Sequence, residues 1–178
     1  MVILDFFKNA LNLKNISRQG WIDKLSIEHP ESVADHSYSM AIMGMVISDL
    51  ENYDSEKMLK MILLHDLAES KIGDYTPNQI SKENKIKIEN NAYDEIISTL
   101  PDVIKLQYGK IWKEYQKQES PESKVVHQID KLEMVLQAKM YQKERSPKEE
   151  VESFFKSAQS EITHPKLKEI FTKIIEEE

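Results

Sequence analysis

The segment Leu63-Leu64-His65-Asp66-Leu67-Ala68-Glu69 sets an imidazole and two carboxylates at the end of an apolar helical run. Burying an ionised carboxylate beside an imidazole is costly unless the two are paired or share a cation. His65 and Glu69 are four residues apart, so they share a helix face with Cβ atoms about 5–6 Å apart. Asp66 is turned by roughly 100° from His65, yet neighbouring side chains of this length can converge on one ion. Alone, such a pair fits an ordinary satisfied core pair. The same is true of His36 in the first turn of a helix and of Asp130 at the edge of an apolar stripe. Jointly they are polar intrusions into the apolar faces of three separate helices. Two imidazoles and two carboxylates suit a divalent ion among Mn, Co, Fe, Ni, Mg and Zn, with positions left for water. Such an ion can take a phosphate oxygen and make a bound water more acidic. Glu69, one turn beyond His65, could accept that water's proton, and Asp74, just past Gly73, could return to the same pocket.

A phosphate also needs an anchor. The 24 basic residues include only two arginines, Arg18 and Arg145. A guanidinium fork binds phosphate through two parallel hydrogen bonds, as an ammonium cannot. Arg18 stands in Arg18-Gln19-Gly20-Trp21, a glycine-containing stretch beside an aromatic ring. The other histidines carry less: His127 lies three residues before Asp130, His164 precedes Pro165 at a helix entry, and His29 sits in an exposed turn.

The elements that must hold these groups read as helices throughout. Ile3, Phe6, Phe7, Ala10 and Leu11 follow helical spacing, predicting a core-packed first helix. The chain from Arg18 to Pro30 reads as a loop. Ser32-Val33-Ala34-Asp35 is a capping pattern, opening a buried helix from Val33 to Leu50. Ser55 is expected to cap the next, and Gly73 to terminate it. Helices follow from about Ser81 to Leu100 and from Asp102 to Lys117. Ser120-Pro121 opens a long one whose stripe is Val125, Ile129, Leu132, Leu136 and Met140. Ser146-Pro147-Lys148-Glu149 is a further capping box, and Pro165 begins a last helix with Leu167, Ile170, Phe171, Ile174 and Ile175 inward. No segment alternates with period two. The expectation is an all-α fold, a single compact bundle of about seven helices.

Composition sets the bounds. The 178 residues suit one domain. The absence of Cys excludes thiolate metal sites, cysteine nucleophiles and disulfides and fits a reducing, cytoplasmic compartment. Four glycines leave little room for a phosphate-binding glycine loop or a turn-rich β-sandwich. No run approaches the roughly 18 apolar residues of a membrane helix, and the N-terminal stretch lacks the layout of a signal peptide. A net charge of −7 argues against a nucleic-acid polymer as partner. Taken alone it would also disfavour an anionic small molecule. That inference weakens once Asp66 and Asp130 are given to a cation, because a bound divalent ion dominates the local field.

The ordered set Arg18-Gln19-Gly20-Trp21, Pro30-Glu31-Ser32-Val33-Ala34-Asp35-His36-Ser37, His65-Asp66-Leu67-Ala68-Glu69, Gly73-Asp74, Gln128-Ile129-Asp130-Lys131-Leu132-Glu133-Met134 and His164-Pro165 resembles the HD-domain superfamily of metal-dependent phosphohydrolases. Within it, the chain looks most like the 5′-deoxynucleotidase family. The resemblance runs roughly from Leu11 to Ile170. It implies one HD domain over 1–178, with its motif core at about 30–140 and the terminal helices packed on it. By match it assigns His36, His65, Asp66 and Asp130 as ligands of one divalent cation per subunit, and Glu69 and Asp74 as catalytic groups. Arg18 and Trp21 would bind the substrate together with the loop Asp74, Tyr75, Thr76 and Pro77. In bacterial relatives the Arg and Trp are adjacent, whereas here Gln19-Gly20 separates them. The implied reaction is hydrolysis of a 5′-(deoxy)ribonucleoside monophosphate to nucleoside and phosphate, by a homodimer. Phosphodiesterase or nucleoside triphosphohydrolase activity is the alternative on the same cradle, and a non-catalytic metal- or nucleotide-binding module is the third.

Overall fold

The computed structural model describes residues 2–144 and 148–177. Among them the helices are α1 (Val2–Asn12), α2 (Gln19–Leu25), α3 (Val33–Glu51), α4 (Ser55–Leu64), α5 (Glu69–Ile72), α6 (Lys82–Ile97), α7 (Asp102–Lys117), α8 (Pro121–Glu144), α9 (Lys148–Glu161) and α10 (Pro165–Glu176). A 3-10 turn, Leu13–Asn15, follows α1. The described residues contain no strand, only a single antiparallel bridge between Ser17 and Ser32. The all-α expectation holds, but the count of about seven is low: nine of the ten helices exceed one turn. The stretch expected to be a loop after Arg18 contains α2, whose only buried residues are Trp21 and Leu25. Two core positions in seven residues, with Gly20 among them, give too little periodicity to read.

Local chemistry sets the helix ends. The Ser32 hydroxyl accepts from the Asp35 N–H while the Asp35 carboxylate accepts from the Ser32 N–H, closing the expected box at α3. At α4 the cap is Asp54, not Ser55: its carboxylate accepts from the Lys57 N–H. Asp54 is in the extended region that a cap requires, and its charge complements the helix N-terminus. Ser55 instead donates to Asp49. Ser120 accepts from the Ser123 N–H ahead of Pro121, as expected. In the box expected before α9, Ser146 and Pro147 lie outside the described residues, as does Arg145.

The core joins Met40 of α3, Met58, Met61 and Ile62 of α4, Ile96 of α6, Ile129 and Leu132 of α8 and Leu167 of α10. Helix α3 packs on α4 and α8, and α8 carries α9 and α10. Where α3 meets α4, Gly44 leaves room for the end of the Ile62 side chain, which a Cβ there would displace. Two burial expectations fail. Helix α1 is not core-packed: among its described side chains only Phe6 rests against the core, while Leu4, Phe7 and Leu11 are exposed. It meets the rest of the chain along one edge, through the 3-10 turn, α5 and α6. Helix α3 is apolar all round but buried on one side only, leaving Tyr38, Ile42, Met45, Val46 and Leu50 exposed. On α8, Met140 also faces outward, as does Ile175 on α10. No helix among the described residues is long and apolar enough to cross a membrane.

Candidate active site

A cleft of about 640 Å³ opens over the meeting point of α2, the α4–α5 turn, α6, α8 and α9. His65 and Asp66 reach it from the end of α4 and Asp130 from α8, while His36, fully buried in the first turn of α3, lies directly behind Asp66 and Asp130. Residues 65–68 form a turn rather than continuing α4, so His65 and Glu69 do not share one unbroken helix face. Both nevertheless line the cleft. One polar atom each of His36, His65 and Asp66 lies within 4.8 Å of the others. Asp130 Oδ1 lies 3.3 Å from His36 Nε2, outside that mutually close trio.

The tautomers follow from the partners. His65 Nδ1 is 2.6 Å from the Ile62 carbonyl, which can only accept, so this nitrogen carries the proton. His36 Nδ1 is 2.6 Å from Glu133 Oε2, another acceptor, with both side chains buried. In the neutral ring each Nε2 then presents a lone pair. Both Nε2 atoms are buried without a hydrogen-bond partner. Yet His65 Nε2 lies 3.0 Å from Asp66 Oδ2, and His36 Nε2 faces Asp130. Imidazole nitrogens aimed at carboxylate oxygens make an electron-rich cradle, which a proton on Nε2 or a divalent cation satisfies. The donor set, two imidazole nitrogens and two carboxylates, fits such an ion.

The fields agree with this geometry. Burial opposes ionisation of Asp66, but His65 and Arg18 outweigh it and hold the carboxyl well below its usual range. Asp130, also opposed by burial, is held low by His36, Lys131 and Arg18. Burial and the Arg18 charge oppose protonation of His36, yet the carboxylates of Asp130 and Glu133 lift its pKa to about 9, so without a cation Nε2 holds a proton against Asp130, in the place a cation would take.

Beside this cradle stands Glu69, almost fully buried, with Oε2 unpartnered. Burial first, then the Asp66 and Asp74 charges, push its carboxyl well above the usual range. Gly73 adopts φ +80° and ψ 169°, a conformation essentially restricted to glycine, and so turns the chain out of α5. Asp74, Tyr75, Thr76 and Pro77 then form one wall of the cleft. Asp74 Oδ2 accepts from the Gln19 N–H at 2.8 Å, tying that wall to the first turn of α2. The Thr76 hydroxyl donates to Asp23 of the same helix. Arg18, immediately before α2, places Nη1 3.2 Å from Asp66 Oδ2 and Nη2 3.9 Å from Asp130 Oδ1. Trp21 lines the cleft but is buried against Tyr141 and Phe154, and its indole N–H donates to Glu31.

All the singled-out site residues thus come together. Of the remaining histidines, His127 stacks on Tyr115 with ring centroids 4.0 Å apart and donates to the Tyr115 carbonyl, backing the aromatic ring that meets His65 edge-on. His164 is the residue before α10, as expected, and His29 is exposed. Sequence reasoning missed Lys85, whose ammonium lies 3.5 Å from Glu69 Oε1, 3.8 Å from Asp74 Oδ1 and 3.0 Å from the Tyr75 carbonyl. It stands in α6, a mixed-charge helix where one more lysine carries no signal. It also missed Glu133, although a carboxylate inside the apolar stripe of α8 is the kind of intrusion that exposed His65 and Asp66.

A helical bundle in which two buried imidazoles meet aspartates beside one cleft defines the class of protein. The HD-domain family model matches residues 10–171. The chain is 39% identical to the 5′-deoxynucleotidase HDDC2 of Dictyostelium discoideum, over 94% of this chain and 93% of that one. It is 36% identical to the 5′-deoxynucleotidase hdd1 of Schizosaccharomyces pombe, over 98% and 89%. Among solved structures, the PH0347 protein of Pyrococcus horikoshii OT3 superimposes with a TM-score of 0.79 at 30% identity, over 96% of this chain and 97% of that one. The chain belongs to the HD-domain family.

Proposed function

We propose that the protein is a metal-dependent phosphomonoesterase that hydrolyses 5′-(deoxy)ribonucleoside monophosphates to nucleoside and phosphate. The observation that carries this reading is the pair of buried, unpartnered Nε2 atoms facing Asp66 and Asp130, two carboxylates that line the same cleft as Arg18 and Glu69. The names of its full-length relatives supply the substrate class. His36, His65, Asp66 and Asp130 would hold one divalent cation per chain, among Mn, Co, Mg, Zn, Ni and Fe. Once bound, the cation supplies positive charge for the phosphate and makes a water more acidic.

The chain's own residues do the rest. Arg18 forks onto the phosphoryl oxygens and offsets the charge that develops there. Glu69 takes the proton of the attacking water. Its raised pKa suits a base working nearer neutrality than an ordinary carboxylate. Lys85 holds the Glu69 carboxylate by one oxygen, leaving the other for that proton. Asp74 to Pro77 wall the nucleoside, with Asp74 also fixing α2, and Trp21 supports the substrate from behind Arg18. The reading includes a single HD domain over 1–178, a cytoplasmic location and a homodimer. Exposed apolar stripes on α1 and α3 support the homodimer, because surfaces of this kind mark contacts between molecules.

Product analysis on a panel of nucleoside 5′-monophosphates, triphosphates and cyclic dinucleotides, with each divalent ion added back, tests the reading. Orthophosphate released from the monophosphates supports it. Pyrophosphate, triphosphate or linear dinucleotide as the main product contradicts it.

A further inference from the structure

Only one of the two imidazoles in the cradle is held from behind by a carboxylate. His65 donates to a main-chain carbonyl of its own helix, a contact that any sequence there would provide. His36 donates to Glu133, which lies one turn beyond Asp130 on α8 and is itself only 3% exposed. Behind Glu133 stands a second acid: Glu31, Glu133 and His36 bring polar atoms within 4.8 Å of one another. Glu31 is fastened on three sides. Its carboxylate accepts from the Trp21 indole at 2.9 Å, its carbonyl accepts from the Arg18 N–H at 3.0 Å, and its own N–H donates to the Tyr141 hydroxyl. The trio is a poor second cation site, because it faces the protonated nitrogen of His36, and that N–H repels a cation.

We propose that Glu133 is a positioning residue for His36, fixing its tautomer and ring orientation, and that the Glu31 carboxylate, held by Trp21 within 4.8 Å of it, confines Glu133 to His36 by like-charge repulsion and so links α2, which follows Arg18, to the cation cradle. The inference rests on the metal-dependent reading above. A carboxylate behind a ligating imidazole orients the ring and strengthens its lone pair, and loss of such a partner typically lowers metal affinity by about 10–100-fold. Trp21 acts at one further remove. Losing its single hydrogen bond to a carboxylate corresponds to roughly two- to tenfold.

The test is calorimetric titration of the full chain with manganese(II), on wild type, Glu133→Gln and Trp21→Phe, alongside long-range 1H–15N NMR of His36. Glu133→Gln keeps the size of the side chain and removes its charge. The expected result is about 10–100-fold weaker manganese binding and a shifted His36 Nδ1 resonance, because an amide oxygen accepts the Nδ1–H more weakly than a carboxylate, with a smaller affinity loss for Trp21→Phe. A purely structural role would lower thermal stability while leaving the Nδ1 resonance and the affinity of the folded protein unchanged, and that result overturns the inference. If Glu133→Gln fails to fold, Trp21→Phe decides: unchanged affinity overturns the proposed link and a two- to tenfold loss supports it. Wild-type protein that binds no manganese or other divalent ion removes the underlying functional reading. Wild type and Glu133→Gln binding equally well removes this inference alone.

Discussion

The two ends of the cleft are built by different means. At the cation end, His36, His65, Asp66 and Asp130 come from the core-facing sides of three packed helices, and each imidazole is pinned through Nδ1. At the other end, Glu69 belongs to a single helical turn, Asp74 follows a glycine-dependent bend, and one lysine reaches from α6 to join them. The first end is fixed by packing, the second by charge. Damage at the first should therefore remove the cation, whereas damage at the second should leave the cation bound and slow the reaction.

Asp66→Ala should have the largest effect. It deletes a ligand and the main partner of Arg18, so metal content should fall to background and activity by at least about 10³-fold, beyond what the loss of an outer partner gives. Metal analysis of the purified variant checks the first half. Glu69→Gln should lower kcat by roughly 10²–10⁴-fold with metal content unchanged. If it also emptied the site, the division between the two ends would be wrong. Lys85→Met should cost about tenfold in kcat, the scale of one hydrogen bond to a charged group, again with the metal retained. Partial recovery in Lys85→Arg would show that the charge is what matters.

A charge cluster outside the cleft sharpens the contrast. The hydrogen bonds of Lys166 and Lys173 hold the exposed Glu169 carboxyl down to about 2. Its contribution is present above the unfolded value of 4.5 and is lost as pH falls towards 2. Because solvent screens it, Glu169→Gln should stay within about 2 °C of the wild-type Tm at pH 7, with full activity. Any difference should vanish on acidification, which thermal melts at several pH values would show.

The cation end was legible in the sequence because its groups break a pattern: His65, Asp66 and Asp130 interrupt apolar spacing, where a charge needs a reason. Glu133 breaks the same pattern, but its reason, an imidazole 97 positions away in the chain, exists only once α3 lies on α8. Lys85 breaks nothing in a helix of mixed charge, so it could be found only by its distance to Glu69. Among the helices, α3, α7 and α10 were readable from caps and proline. Helix α2 was hidden by its shortness, and the α4–α5 break by the apolar residues that continue through it. The exposed faces of α1 and α3 were misjudged because apolar periodicity reports an apolar face without saying which molecule covers it.

The most direct measurement follows bound cation and released phosphate on one sample. The protein is stripped with a chelator, titrated with manganese(II), and assayed on a deoxyribonucleoside 5′-monophosphate at each step. Phosphate release should be absent from the stripped protein, rise in proportion to bound manganese and level off at one ion per chain. Hydrolysis that persists after complete removal of the metal would contradict the account.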